Sequence, residues 1–204
     1  MVELRKASTK AIKYACLHFH YAKRVPAVKY AYNVYQNGEW CGVICYGIGA
    51  TPNISKPFGL LQGEVIELVR VALNGKQEWT SECVSASLRQ IHKDHPQIKM
   101  IVSYADADQN HYGTIYQATN WIYLGRQNEN TRGGFCINGK FVHPKSVHSR
   151  GWKQSIDWLR EHIDPDAEEV QTKGKNKYIY CFDKKLRRKY AKTGKPYPKK
   201  EVDK

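Results

Sequence analysis

The run from Ile98 to Tyr104 is apolar and rich in β-branched residues, and Ala105-Asp106-Ala107-Asp108-Gln109-Asn110 stops it with turn formers. A buried strand that ends abruptly in a polar loop puts that loop at a strand terminus. The loop is followed by Ile115, Ala118 and Trp121 at helical spacing, and Trp121 to Leu124 resumes a strand pattern before Gly125. The order strand, loop, helix, strand places Asp106 at a strand terminus facing a helix that carries Tyr116, which is a common way to build a site.

The rest of the chain supports a mixed α/β architecture. Ser8 or Thr9 caps a helix predicted to run to about Tyr21, with Ile12, Ala15, Cys16 and Phe19 on one face. Tyr30 to Tyr35 and Trp40 to Tyr46 form a hairpin around Asn37-Gly38. Gly47, Gly49 and Pro52 open a loop to Gly59, with Asn53, Ser55 and Lys56 as its polar candidates. Glu64 to Leu73 reads as a central strand, and Thr80 or Ser81 starts a helix that reaches Ile91. Beyond Gly125 the sequence predicts a second hairpin at Gly134–Ile137 and Phe141–Val142, a helix from Trp152 to Ile163, and a strand from Lys177 to Phe182.

The chain has 204 residues, 41% of them hydrophobic, enough for one domain with a substantial core. Residues 1–183 are read as that domain, and 184–204 as a basic, flexible tail. No apolar run of membrane-spanning length exists, so a soluble intracellular protein is expected. The six cysteines include no CxxC pair, which argues against a zinc knuckle or a disulfide framework. The net charge is +14, and from Gln171 onward 13 Lys or Arg stand against 3 Asp or Glu. Lys184, Lys185, Arg187, Arg188, Lys189 and Lys192, with Lys195, Lys199 and Lys200 behind them, read as a phosphate-binding arm for nucleic acid. A merely solvated tail is the plain alternative.

Ser103-Tyr104-Ala105-Asp106 and His111-Tyr112-Gly113-Thr114-Ile115-Tyr116-Gln117-Ala118 together resemble the phage Mom proteins, DNA-modification enzymes on a scaffold of the GNAT acetyltransferase superfamily. Further matches lie at His20-Tyr21, at Glu67-Leu68-Val69-Arg70 and at Lys177-Tyr178-Ile179-Tyr180, so the resemblance spans most of the chain. It implies an α/β fold with a GNAT-like mixed, twisted central β-sheet flanked by helices. The C-terminal hairpin, helix and basic tail would be additions to that fold. It also implies an enzyme that attaches a carbamoylmethyl group to N6 of adenine in double-stranded DNA and so shields phage DNA from host restriction. Such a protein would be phage- or prophage-encoded and would work in the cytoplasm of a bacterial host; a homodimer is compatible with this reading.

The resemblance carries His20, Tyr21, Asp106 and Tyr116 over as catalytic candidates. Adenine N6 is a poor nucleophile because its lone pair is delocalised into the ring, so a base or electrostatic partner is needed there. The product joins N6 to a methylene, which ordinary aminolysis of an acyl thioester does not give. His20, Tyr21 and Asp106 would form a hard, oxygen-rich set suited to iron, and the resemblance implies iron dependence. In GNAT enzymes a glycine loop and a helix N-terminus hold the coenzyme A pyrophosphate. Here Asn74-Gly75-Lys76-Gln77-Glu78-Trp79-Thr80-Ser81 lacks the usual glycine pattern, leaving Gly75, Ser81, Arg70 and Tyr116 as candidates for binding acetyl-CoA or another donor. His111 reads equally as a substrate contact or a structural cap. Arg70 suits a phosphate or a pairing with Glu67, and Trp40, Trp79, Trp121 or Trp152 could stack an extruded base. Two rival readings stay open: a conventional acyl-CoA N-acyltransferase acting on a protein, a small amine or aminoacyl-tRNA, and a non-catalytic nucleic-acid-binding module.

Overall fold

The computed structural model describes residues 1–49 and 53–199; Pro52 and Lys200 lie outside the described residues. The chain divides into two compact units whose segments alternate along the sequence. The larger unit comprises Met1–Tyr104, Gly113–Gly125 and the chain from Lys177 onward; the smaller comprises Ala105–Tyr112 and Arg126–Asn176.

The larger unit is built on a mixed seven-stranded sheet, most of whose recorded pairings are antiparallel. Its strands are β1 (Val2–Lys6), β2 (Tyr30–Gln36), β3 (Glu39–Gly47), β4 (Val65–Leu73), β5 (Met100–Asp106), β6 (Ile122–Gln127) and, from the far end of the sequence, β10 (Lys175–Cys181). They lie in the order β1-β2-β3-β4-β5-β10-β6. The β2–β3 hairpin turns at Asn37 and Gly38, with φ of 52° and 80°, the left-handed pair that matches strand twist. Gly42 is dictated by space: a Cβ there would stand 2.1 Å from the Ala72 carbonyl oxygen on β4.

Side-chain alternation along β3 puts a helix on each face of the sheet. Val43 and Cys45 pack with Ala15 and Cys16 of α1 (Thr9–His18), whereas Tyr46 bonds Ser87 of α2 (Thr80–Asp94) at 2.7 Å. Cys41 to Gly47 are therefore all buried. Ser8 caps α1 as expected, accepting from the Ala11 amide, but the helix ends at His18, and His20-Tyr21 form the turn beyond it. A third helix, α3 (Thr114–Ala118), precedes β6.

β4 and β5 run parallel but pair only over Val65–Met100, Ile66–Ile101 and Glu67–Val102. Glu64 fastens the start of this pairing. Its backbone oxygen accepts from the Lys99 and Met100 amides, and its carboxylate accepts from the Leu61 amide and pairs with Lys99 Nζ at 2.6 Å. On its other side β4 carries a bulge, since the partners of Cys45 and Tyr46 are Arg70 and Leu68, leaving Val69 out of register.

The smaller unit has its own core. β7 (Arg132–Ile137) pairs antiparallel with β8 (Lys140–Val142) and β9 (Glu168–Gln171). Phe135, Ile137 and Val142 meet Val147 of α4 (Pro144–Ser149) and Leu159 of α5 (Ile156–His162). The expected helix from Trp152 starts only at Ile156, behind Ser155. Its predicted apolar face, Ile156, Leu159 and Ile163, packs on this local core.

The basic segment is not an extended arm at its start. Lys184–Ala191 form a helix, α6, capped by Asp183, whose side chain accepts from the Leu186 amide at 2.7 Å. Leu186 and Tyr190, one turn apart, pack on the core cluster that holds Phe58, Ile122 and Cys181. Lys184, Lys185, Arg188 and Lys189 remain exposed. Among the described residues no helix is long and apolar enough to cross a membrane.

The Lys99 ammonium beside Glu64 holds its carboxyl below the ordinary carboxylate range. A carboxylate depressed on folding adds stability above its unfolded pKa and loses it as pH falls through the folded value. Glu64→Gln is therefore expected to lower the urea midpoint at about pH 7 and to converge with wild type near about pH 3. Parallel curves at both pH values would refute this.

Candidate active site

Beyond Glu67 and Val102 the backbone ladder between β4 and β5 stops, and a side chain takes its place. Ser103 Oγ lies 2.9 Å from the Leu68 carbonyl oxygen and 2.8 Å from the Tyr116 hydroxyl, all out of solvent. A hydroxyl has one proton to give; with it on Leu68, whose carbonyl can only accept, the phenol proton of Tyr116 closes the second bond. Tyr116 is thereby fixed from α3 to the end of the β4–β5 pairing. Its ring packs at 5.0 Å on Trp121 and 5.1 Å on Tyr178. Gly113, the residue before α3, has φ of 76°, and a Cβ there would stand 2.4 Å from the Tyr178 ring. Only glycine lets the helix start against that ring.

Burial raises the pKa of Tyr116, and burial with Glu67 raises that of Tyr104. Both phenols stay protonated where exposed ones ionise, so Tyr116 stands as a neutral phenol and not as a phenolate. Lys177 on β10 faces away from Tyr178 and Tyr116, with its ammonium 4.9 Å from the Phe58 ring centre and 6.0 Å from that of Tyr104. Burial lowers its pKa. Sequence reasoning quoted Lys177 only as part of a motif; the available signal was a lysine opening an otherwise aromatic and aliphatic strand.

Asp106 ends β5 and belongs to the smaller unit. Its carboxylate accepts from the Asp108 amide at 3.1 Å and its backbone oxygen from the His111 amide at 3.0 Å. The turn thus uses Asp106 itself. Asp108 is committed elsewhere, accepting from the Thr172 hydroxyl and the Lys173 amide. The His111 carbonyl accepts from Asn176.

His20 and Tyr21 sit side by side after α1, with ring centres 4.4 Å apart. His20 Nδ1 accepts from the Ala22 amide at 3.1 Å, which in the neutral ring puts the proton on Nε2, the wrong tautomer for a metal ligand at that nitrogen. Tyr21 is 47% exposed. Among the described residues no group of three or more His, Cys, Asp or Glu is arranged to hold a metal ion. With its Nδ1 taken by the Ala22 amide, His20 does not fit the expected iron, and no chemical step is derived through it.

The loop before α2 departs from a phosphate cradle. The Gly75 and Lys76 amides go to Gln77 and Asn74 side chains, and the Glu78 amide to Gln36. Trp79 holds the cap position of α2 without a side-chain hydrogen bond, so the first-turn amides around Ser81 are what the loop offers an anion. Arg70 is held by its own strand. Its Nη1 donates to the Val69 carbonyl at 2.7 Å, and its Nε is buried without a partner. Across the ladder from Arg70 is Cys45, a free thiol that packs in one cluster with the free thiol of Cys16; their proximity draws Cys16 down and Cys45 up, and the guanidinium charge adds to the Cys16 shift. Of the tryptophans, Trp121 is buried, Trp40 and Trp152 pack on core clusters, and Trp79 is 61% exposed.

Ser103→Ala strands the Leu68 carbonyl and the Tyr116 hydroxyl together, and should cost about 1–3 kcal/mol in denaturant unfolding. In a spectrophotometric titration, Tyr116→Phe should remove none of the phenol ionisation seen near about pH 10. Loss of signal there would mean that Tyr116 titrates as an exposed residue.

The fold is similar to a ribosomal L7/L12 alpha-N-protein acetyltransferase in complex with coenzyme A, with a TM-score of 0.51, 11% identity, and coverage of 89% of this chain and 94% of that one. It is also similar to the aminoglycoside acetyltransferase AAC(6')-Ib in complex with coenzyme A and kanamycin, with a TM-score of 0.50, 12% identity, and coverage of 93% and 98%. These likenesses establish the GNAT-type fold expected from the sequence. The methylcarbamoylase mom of Escherichia phage Mu is 26% identical over 190 residues, covering 88% of this chain and 76% of that protein. Residues 1–199 match the Mom protein family, and the chain belongs to that family.

Proposed function

We propose that this protein is a transferase that converts adenine in double-stranded DNA to its N6-carbamoylmethyl form. The observation that carries the reading is membership of the Mom family over residues 1–199, with a methylcarbamoylase from phage Mu as a relative. The net charge of +14 and the exposed lysines and arginines of α6 supply the phosphate contacts that binding DNA would need. Because α6 is anchored through Leu186 and Tyr190, those charges are presented from a fixed surface.

The reaction forms a bond between N6 and a methylene carbon, takes one proton from N6 and releases a leaving group from the donor. Asp106, a carboxylate on a strand end, is the proposed acceptor of the N6 proton. Tyr116, kept neutral by burial, is the proposed proton donor to the leaving group. The acetyltransferases of similar fold are solved with coenzyme A, which supports a coenzyme A-linked donor with a phosphate at the N-terminus of α2 near Ser81. The methylene bond in the product requires that this donor deliver more than a simple acyl group.

The test is mass spectrometry of nucleosides from plasmid DNA after expression of wild type, Asp106→Ala and Tyr116→Phe. Wild type should yield a deoxyadenosine heavier by a carbamoylmethyl group. Each variant should lower its amount by about 100-fold or more while remaining folded. Unmodified nucleosides from soluble wild-type protein would overturn the reading.

A further inference from the structure

Where β4 and β5 part, the sheet face turned away from Ser103 carries polar groups of its own. Side chains alternate along β5, so Tyr104 lies opposite to Ser103, on the side of Val102 and Val65. Glu67 is paired in register with Val102 and shares that side. β10 lies beside β5 and adds Lys177, whose ammonium is 6.0 Å from the Tyr104 ring centre and 4.9 Å from that of Phe58. Phe58, Glu67, Tyr104 and Lys177 all belong to the larger unit. Among the described residues, Lys177 forms no ion pair and no hydrogen bond, and the Tyr104 hydroxyl has no hydrogen-bond partner. Both side chains are half-buried, so solvent still reaches them. An ammonium drawn partly out of water against two rings, with no counter-ion, is costly to keep.

We infer that Lys177 and Tyr104 form a binding site for the carboxylate group of a small organic acid. The ammonium supplies the charge and the phenol one further O–H donor, a set that matches the two oxygens of a single carboxylate. The rings of Phe58 and Tyr104 lower the local polarity, where a charge-assisted hydrogen bond is stronger than in water. Glu67, on the next strand, sets the charge of the ligand: Tyr104 already feels its carboxylate, and a doubly charged phosphate meets more repulsion there than a singly charged acid. The Tyr104 phenol keeps its proton throughout the range in which a carboxylate is ionised, so it remains a donor. The inference rests on the transferase reading only for the use of the acid, as a reactant in that transfer. The carboxylate site itself stands on these side chains, and it lies on the opposite face of the sheet from the Ser103–Tyr116 pair.

The experiment is trace acetylation of the full folded chain with an N-hydroxysuccinimide ester, read lysine by lysine through peptide mass spectrometry in chloride, acetate or phosphate at equal ionic strength. Only the neutral amine reacts, so an anion held on the ammonium slows the reaction. Acetate should slow acetylation of Lys177 saturably, by about fivefold or more, and phosphate should protect it less. Lys13, exposed on α1, should react equally in all three salts. Tyr104→Phe should weaken acetate about tenfold, the loss expected for one hydrogen bond to a charged group. No protection by acetate, equal slowing of Lys13, phosphate protection that matches acetate, or undiminished acetate affinity in Tyr104→Phe would each overturn the inference. If Tyr104→Phe melts below wild type, Glu67→Gln serves instead, and it should bring phosphate protection up to that of acetate; unchanged discrimination would overturn the inference. Saturable acetate protection in a chain that leaves plasmid DNA unmodified would uphold the site and sink the transferase reading. Modified adenine with no acetate protection would do the reverse.

Discussion

Two parallel strands that are held together at one end and then part company govern this molecule. Glu64 fixes where β4 and β5 begin to pair, and three residue pairs later the pairing is over. Backbone groups that lose a ladder inside a protein must find other partners. Leu68 finds the Ser103 hydroxyl, and through it the Tyr116 phenol. The same polar group that repairs the sheet thus sets the position of the candidate proton donor. Stability and chemistry meet in one hydroxyl, so neither can be changed there alone.

The surroundings of Tyr116 follow from the same opening. Trp121 and Tyr178 close over the phenol, and Gly113 is the concession that lets α3 start against Tyr178. Burial keeps the Tyr116 phenol neutral and, on the other face of β10, depresses the Lys177 ammonium. An acid that stays protonated and an amine that is less willing to be charged are opposite responses to the same loss of water.

Much of this was legible in the residues. Asn37-Gly38 between two alternating runs specified the hairpin, Ser8 specified the start of α1, and the polar run after Tyr104 located the end of β5 to within two residues. Elements escaped where pattern was weak. β1, with three charged residues in five, and β9, with Glu168 and Glu169, carry too little apolar alternation to register. α6 was hidden by its charge: five of its eight residues are basic, and only Leu186 and Tyr190 mark the face that docks. At the site, Tyr116 and Ser103 both lay in readable motifs, but the bond between them joins residues on different elements and no spacing rule reports it. His20 illustrates the opposite failure, since residue type suggested a ligand while the local turn took the nitrogen.

The strand order of the larger sheet has a consequence for how the protein is made. β10, among the last elements synthesised, does not add to an edge; it lies between β5 and β6. Until residues 175–181 have left the ribosome, β5 and β6 have no common neighbour, and both present unpaired backbone to solvent. The smaller unit, apart from its 105–112 segment, is contiguous and can condense in the meantime. Completion of the larger sheet must therefore be a late, long-range event, slow by its topology and exposed to aggregation while it waits.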